Sequence, residues 1–229
     1  MTELSRRLRA VAEMVTPGKR VADVGTDHAY VPIFLVESGV TPSAIAMDIH
    51  QGPLKRARDH IQKCGLEDRI KTRLSDGLKN LKSEEADSMI AAGMGGGLII
   101  KILSESAETA ERLDELILQP QSEIAKVRQY LNDSGWRIER EDMVLEDGKF
   151  YPLMRVVRGA PESYLPEELE FGKRLLEMRH PILRQYLERE IRICGEILGS
   201  LPAADSGRIQ ARREEMEQKI EKITRLLAE

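Results

Sequence analysis

Apolar residues Leu4, Leu8, Val11, Ala12 and Val15 recur at helical spacing, and Thr16-Pro17-Gly18 ends that run. The stretch "RVADVG" predicts a short strand closing at Gly25, and "YVPIFLVESG" a helix with Pro32 in its first turn and Gly39 at its end. The alternation continues. "SAIAMDI" predicts a strand, "GPLKRARDHIQKCG" a helix, "RIKTRLSDG" a strand, "DSMIAAGMGGG" a strand running into glycines, "LIIKILSES" a helix and "DELILQPQ" a fifth strand. "SEIAKVRQYLNDSG" predicts a helix with Ser122 as N-cap. "WRIEREDMVLEDGKFYPLMRVVRG" predicts two strands joined at Asp147-Gly148, a hairpin signal.

Strand and helix in repeated alternation predict an α/β domain, a parallel sheet with helices on both faces, to which the hairpin adds an antiparallel close. The character changes after Gly159. "APESYLPEE" predicts a corner, residues 166 to 199 a long helix kinked at Pro181, "GSLPAADSG" a break, and residues 207 to 228 a second helix. Two charged helices joined by a short turn predict an antiparallel hairpin. The expected organisation is therefore a sheet domain, 1–159, and a C-terminal helical hairpin, 160–229.

Composition narrows the picture. With 41% hydrophobic residues among 229, the chain can bury a real core, which excludes wholesale disorder. No apolar run approaches the roughly 20 residues that span a bilayer, and the charged N-terminal stretch is no signal peptide. Cys64 and Cys194 are far apart and predict free thiols in a reducing cytosol. His28, His50, His60 and His180 are scattered, so no metal is expected. A net charge of −4 argues mildly against nucleic-acid binding as a bulk property. Distribution counts for more: Arg6, Arg7, Arg9, Lys19 and Arg20 form one basic cluster and Lys55, Arg56 and Arg58 a second, each also readable as a solvated helix face.

In an open parallel sheet, ligands bind outside the carboxyl ends of the strands. The five predicted ends carry Asp23-Val24-Gly25-Thr26-Asp27-His28, Asp48, Asp76-Gly77, Gly93-Met94-Gly95-Gly96-Gly97 and Gln119-Pro120-Gln121. Turn chemistry alone does not ask for so many polar residues. A dinucleotide site wants Gly-x-Gly-x-x-Gly, with pyrophosphate on a helix N-terminus. Asp27 replaces the second glycine; it would repel pyrophosphate and suit a cationic ligand. S-adenosyl-L-methionine carries a sulfonium and an ammonium and no phosphate. Asp48 can accept from both ribose hydroxyls and Asp76 from the adenine amino group, although Asp76-Gly77 also reads as a plain turn.

The motifs "DVGTDHAYVP", "AMDI", "SDGL", "AAGMGGGLI" and "LQPQ", in that order, resemble the bacterial tRNA (adenine-22-N1)-methyltransferase family of class I methyltransferases. The resemblance covers essentially the whole chain. It implies a Rossmann-like seven-stranded sheet, a coiled-coil-like C-terminal hairpin, S-adenosyl-L-methionine as cofactor and tRNA as partner. On this reading Asp23, Gly25, Asp27, His28, Asp48, Ile49, Asp76, Gly77, Gly93, Met94 and Gly95 hold the cofactor. Arg6, Arg7, Gly95, Gly96, Gln119, Pro120 and Tyr151 meet the substrate.

No Asn- or Asp-Pro-Pro-Tyr motif occupies the Gly93–Gly96 region, as it would in DNA amino-methyltransferases, so attack by an exocyclic amine is not expected. N1 of neutral adenine has a free lone pair, and the reaction needs chiefly alignment. Asp27 is the candidate to stabilise the cationic product, with His28 and Tyr30 orienting or stacking. Asp27 also suits a helix N-cap. Tyr30, Phe150 and Tyr151 could stack on a flipped-out base, since N1 lies in the pairing edge; the last two equally suit strand packing.

From residue 160 on, 12 Lys and Arg face 14 Asp and Glu. The hairpin could pack on the sheet domain, dimerise, or read tRNA shape through Arg184, Arg189, Arg192, Arg208, Arg212 and Arg213. The expectation is a cytoplasmic enzyme, monomeric or weakly dimeric, without membrane or metal. Two alternatives stand beside it: a methyltransferase of a small molecule or protein, and a non-catalytic tRNA-binding module.

Overall fold

A computed structural model describes residues 2–202 and 207–228. Seven strands form one sheet: β1 (Val21–Val24), β2 (Ala44–Asp48), β3 (Ile70–Leu74), β4 (Ser88–Met94), β5 (Glu115–Pro120), β6 (Trp136–Glu146) and β7 (Lys149–Arg158). Their order is β3-β2-β1-β4-β5-β7-β6. The first five are mutually parallel, and β7 runs antiparallel to both β5 and β6. The order reverses between β1 and β4, where Asp23 lies opposite Ile90. That reversal opens a crevice at the carboxyl edge.

Central strands buried on both faces divide their side chains between two cores. Val21, Ala44, Ala46, Ile90 and Ile117 point into one. Ala22, Val24, Ile45, Met47, Met89, Ala91, Leu116 and Leu118 point into the other. This is why these strands read as continuous apolar runs rather than alternating ones. Helices α1 (Arg6–Glu13), α2 (Tyr30–Glu37) and α3 (Gln51–Lys63) cover the first face through Val11, Ile33, Leu35, Ala57 and Ile61. Helices α4 (Gly96–Glu105), α5 (Ala107–Ala110) and α6 (Ile124–Asp133) cover the second through Ile99, Leu103, Ala110, Val127 and Leu131. Ser5 caps α1, its hydroxyl accepting from Leu8 N at 3.3 Å.

Three local expectations change. Ser122 is not the N-cap of α6. Glu123, left-handed at φ 51°, takes that place, while the Ser122 carbonyl accepts from Gly96 N at 3.1 Å and joins α4 to α6. Asp27 does not cap α2; Ala29, also left-handed, precedes it. The predicted helix over 166–199 is three: α7 (Pro166–Phe171), α8 (Lys173–Glu177) and α9 (Pro181–Ser200). Gly172 has φ 103° and Arg179 φ 48°, and both break the helical path. Pro181 opens a helix instead of kinking one, with His180 Nδ1 accepting from Ile182 N.

The chain divides into two compact units at Arg174/Leu175, beyond the 159/160 boundary expected from sequence. The cause is a buried ion pair. Arg128, 1% exposed, donates from Nε to Glu141 at 2.8 Å and from Nη1 to the Leu169 and Glu170 carbonyls. It thereby ties α7 to α6 and β6. A Cβ on Gly172 would lie 2.8 Å from the Arg128 guanidinium.

The second unit pairs α9 with α10 (Gly207–Ala228) around Leu183, Leu187, Cys194, Met216 and Ile223, with Lys219 bridging to Glu190 at 2.7 Å. Residues 203–206 of the predicted break lie outside the described residues. Both cysteines are free. Among the described residues, no helix is long and apolar enough to cross a membrane and no side-chain cluster could hold a metal ion.

Candidate active site

At the carboxyl end of β1, Asp23 is 8% exposed. Burial pushes its carboxyl up to about 6, and Asp48 adds to the rise. The Thr26 hydroxyl pulls the other way without reaching hydrogen-bonding geometry. Among the described residues, Thr26 Oγ1 is the buried side-chain polar atom left without a partner. Such groups are rare in folded proteins because each costs about 1–3 kcal/mol.

The turn that follows is held tightly. Gly25 N and Thr26 N both donate to the Met47 carbonyl at 2.9 Å. Gly25 has φ 76°, and a Cβ there would lie 2.8 Å from Met94 Cε, so Met94 packs directly on the turn. His28 and Ala29 are both left-handed, at φ 61° and 55°. Two successive strained residues without glycine mark an over-determined turn. His60 on α3 supplies part of the determination: Nδ1 lies 2.8 Å from the His28 carbonyl and must donate to it. The turn presents a row of rings, with His28 stacked on Tyr30 at 5.3 Å and Tyr30 edge-on to His60 at 5.0 Å.

A cavity of about 240 Å³ opens on this turn, lined by Arg7, Asp23, Gly25, Thr26, Asp27 and Tyr30. Arg7 reaches in from α1. Its Nη1 donates to Gln119 Oε1 at 2.9 Å, and its guanidinium lies 5.4 Å from the Tyr151 ring centroid. A Cβ on Gly93 would be 3.3 Å from the same guanidinium. Arg7 therefore gathers Gln119, Tyr151 and Gly93 to the side of the cavity facing β4 and β5.

Other predicted residues sit on the same edge without lining this cavity. Asp48 accepts from His50 N at 2.8 Å, and Ile49 beside it is 55% exposed. Asp76 pairs with Lys79, which holds its carboxyl below the usual range. Gly77 (φ 59°) packs against Ile102. Arg6 reaches the Leu145 carbonyl at 3.5 Å. Gly96 has a packing role: a Cβ there would lie 2.4 Å from the Ser122 carbonyl oxygen. Gly95 precedes α4 as its extended N-cap, and Pro120 closes β5 opposite Met94.

Sequence reasoning missed Thr26, Arg56 and His60. Thr26 stood inside a motif, and only its lack of a partner singles it out. Arg56 is exposed, in keeping with a solvated helix face, and it also donates to Asp27 at 2.8 Å.

A buried carboxylate, an unpartnered hydroxyl and close-packed glycines at the sheet's switch point suit a cationic donor bearing amino and hydroxyl groups. This donor set fits S-adenosyl-L-methionine. With the strand order, it defines a methyltransferase, and a methyltransferase-domain family model matches residues 4–154.

The chain is similar to the tRNA (adenine(22)-N(1))-methyltransferase of Bacillus subtilis strain 168, at 38% identity over 152 residues, 66% of this chain and 64% of that one. The sequence match thus spans somewhat less than two thirds of that relative's length. Two solved structures align over nearly the whole chain. Streptococcus pneumoniae Sp1610, in complex with S-adenosyl-L-methionine, has TM-score 0.88 and 33% identity, covering 98% of this chain and 100% of that one. M. capricolum TrmK, in complex with S-adenosyl-homocysteine, has TM-score 0.83 and 29% identity, covering 98% of each chain. The chain belongs to the bacterial tRNA (adenine-22-N1)-methyltransferase family.

Proposed function

We propose that this protein methylates N1 of adenine 22 in tRNA, using S-adenosyl-L-methionine. The observation that carries the reading is the buried Asp23 carboxylate beside the unpartnered Thr26 hydroxyl, opening on a cavity shared with Asp27, Tyr30 and Arg7.

Asp23, Thr26 and Gly25 hold the amino-acid end of the cofactor, and Asp48 with Ile49 its ribose. Asp76, Gly77 and the Gly93–Gly95 segment border its adenine. When bound, the cofactor supplies an electrophilic methyl group on a sulfonium. The chain's residues then have three tasks. Arg7, Gln119, Pro120 and Tyr151 position the target base. Tyr30 and His28 offer ring faces to it. The Asp27 carboxylate stabilises the positive charge that develops on the base, and no residue need remove a proton before attack.

The C-terminal hairpin is an arm that reads tRNA shape. Arg184 and Arg212 are engaged within their own helices by Glu188 and Glu215, so phosphate contact there would have to displace those acids. The site of action is the cytoplasm, where tRNA is processed, and the working form is a monomer or weak homodimer without metal.

The test is incubation with labelled cofactor and unmodified tRNA transcripts, followed by nucleoside analysis. Label in 1-methyladenosine, lost when adenine 22 is replaced, is the expected result. Label on N6 of adenine or on guanine would overturn the assignment.

A further inference from the structure

Beside the reaction cavity lies a second one, of about 290 Å³, lined by His28, Tyr30, Arg56, Asp59, His60 and Lys63. Tyr30 lines both. The His28, Tyr30 and His60 rings form part of this lining, and Tyr30 is 38% exposed. Two cations from α3, Arg56 and Lys63, lie about one helical turn to either side of His60. Lys63 has no ion-pair partner among the described residues. Asp59 is the carboxylate in the lining, and Asp27 reaches it through Arg56.

Exposed rings next to cations form the chemistry that takes a nucleotide: ring faces stack on the base, and Arg or Lys contacts its phosphate. An adenine delivered into the first cavity necessarily brings its neighbours along the strand. We infer that the second cavity is a subsite for the nucleotide flanking the target adenosine. Its base lies on the His28–Tyr30–His60 rings, with Asp59 able to accept from an exocyclic amine, and its phosphate meets Arg56 and Lys63. The inference rests on the proposed tRNA substrate.

Arg56 also links the subsite to the reaction. Its Nη2 and Nε donate to Asp27 Oδ1 at 2.8 and 3.1 Å, and His28 Nε2 lies 3.7 Å from the same oxygen. A guanidinium there opposes the carboxylate's ability to stabilise a cationic base. A phosphate that draws Arg56 toward itself weakens this opposition. The device favours a polyanionic strand over a free nucleoside.

Arg56→Gln and Lys63→Gln test this in the full-length enzyme, with Lys55→Gln and Arg58→Gln as controls on the same helix. Each subsite variant should raise KM for tRNA about tenfold and reduce the salt slope of log affinity by about 1, as expected for a lost phosphate contact. Cofactor affinity by calorimetry and kcat should not fall, and the controls should match wild type. Wild-type KM and slope in both subsite variants would overturn the inference. So would a loss confined to kcat, which would mean that Arg56 only holds Asp27 in place. A wild-type enzyme that methylates no tRNA would instead sink the underlying reading.

Discussion

Two buried carboxylates at opposite edges of the sheet have opposite fates. At the amino end of β5, Glu115 is 1% exposed. Burial pushes its carboxyl up, but Thr16, Ser88 and Arg155 more than offset this and hold it below the usual range. Oε1 accepts from Thr16 N and Ser88 Oγ at 3.0 and 2.7 Å, and Oε2 from Thr16 Oγ1 and Arg155 Nε at 2.6 and 2.7 Å. At the carboxyl end of β1, Asp23 is almost as buried, and its carboxyl stands at about 6. One acid is satisfied by its own chain and binds the fold together. The other has no such set of partners from its own chain, as the proposed cofactor-binding role requires. Burial alone does not mark a functional acid; burial without internal partners does.

Breaking the satisfied end should give the largest effect. Glu115→Ala leaves Ser88, Thr16 and Arg155 Nε without their acceptor, while Arg155 Nη1 keeps Glu139, and should cost about 3–5 kcal/mol in denaturant unfolding. At the other edge, Asp27→Ala should lower kcat on tRNA by roughly 100- to 1000-fold while calorimetric cofactor affinity is kept. Undiminished turnover would remove Asp27 from the reaction.

The pH dependence sharpens the contrast. The cationic ligand needs Asp23 charged, so cofactor affinity should be constant well above pH 6 and fall up to about tenfold per pH unit below it. An affinity flat down to pH 5 would contradict the assignment. The smallest effect is expected from Gly25→Ala, at about 1 kcal/mol of stability, because φ 76° disfavours a side chain and Met94 Cε must move. A measured gain in melting temperature would show that the turn is not constrained as described.

The seven strands and five helices of the sheet domain that the pattern predicts are legible because each is a local hydrophobic signal bounded by Gly, Pro or Asp; the single turn α5 carries no such signal. The rim was legible too: Asp23, Gly25, Asp27, Tyr30, Arg7, Gln119 and Tyr151, assigned from motif and resemblance, converge on one cavity or its Arg7 wall. What stayed hidden depends on residues far apart in sequence. The split of 166–199 reflects Gly172 lying against Arg128 and Glu141 from other elements. The left-handed Glu123 that displaces Ser122 accompanies a carbonyl bond to Gly96. Nothing local shows that exposed Arg56 meets Asp27 across 29 positions. Asp48 and Asp76, legible as acids at strand ends, hold local partners instead of lining the cavity.

The central claim is that Asp23 remains charged and underpaired for the sake of a cationic methyl donor. At neutral pH its carboxylate costs the free protein on the order of 3 kcal/mol, since a carboxyl at about 6 instead of 3.8 favours the protonated folded form, and that preference is lost as pH rises through 6. The most direct test is Asp23→Asn at pH 8, measured by calorimetry with S-adenosyl-L-methionine and by denaturant unfolding. The account predicts cofactor binding weakened at least 100-fold in a protein no less stable than wild type. Wild-type affinity in the variant would contradict it.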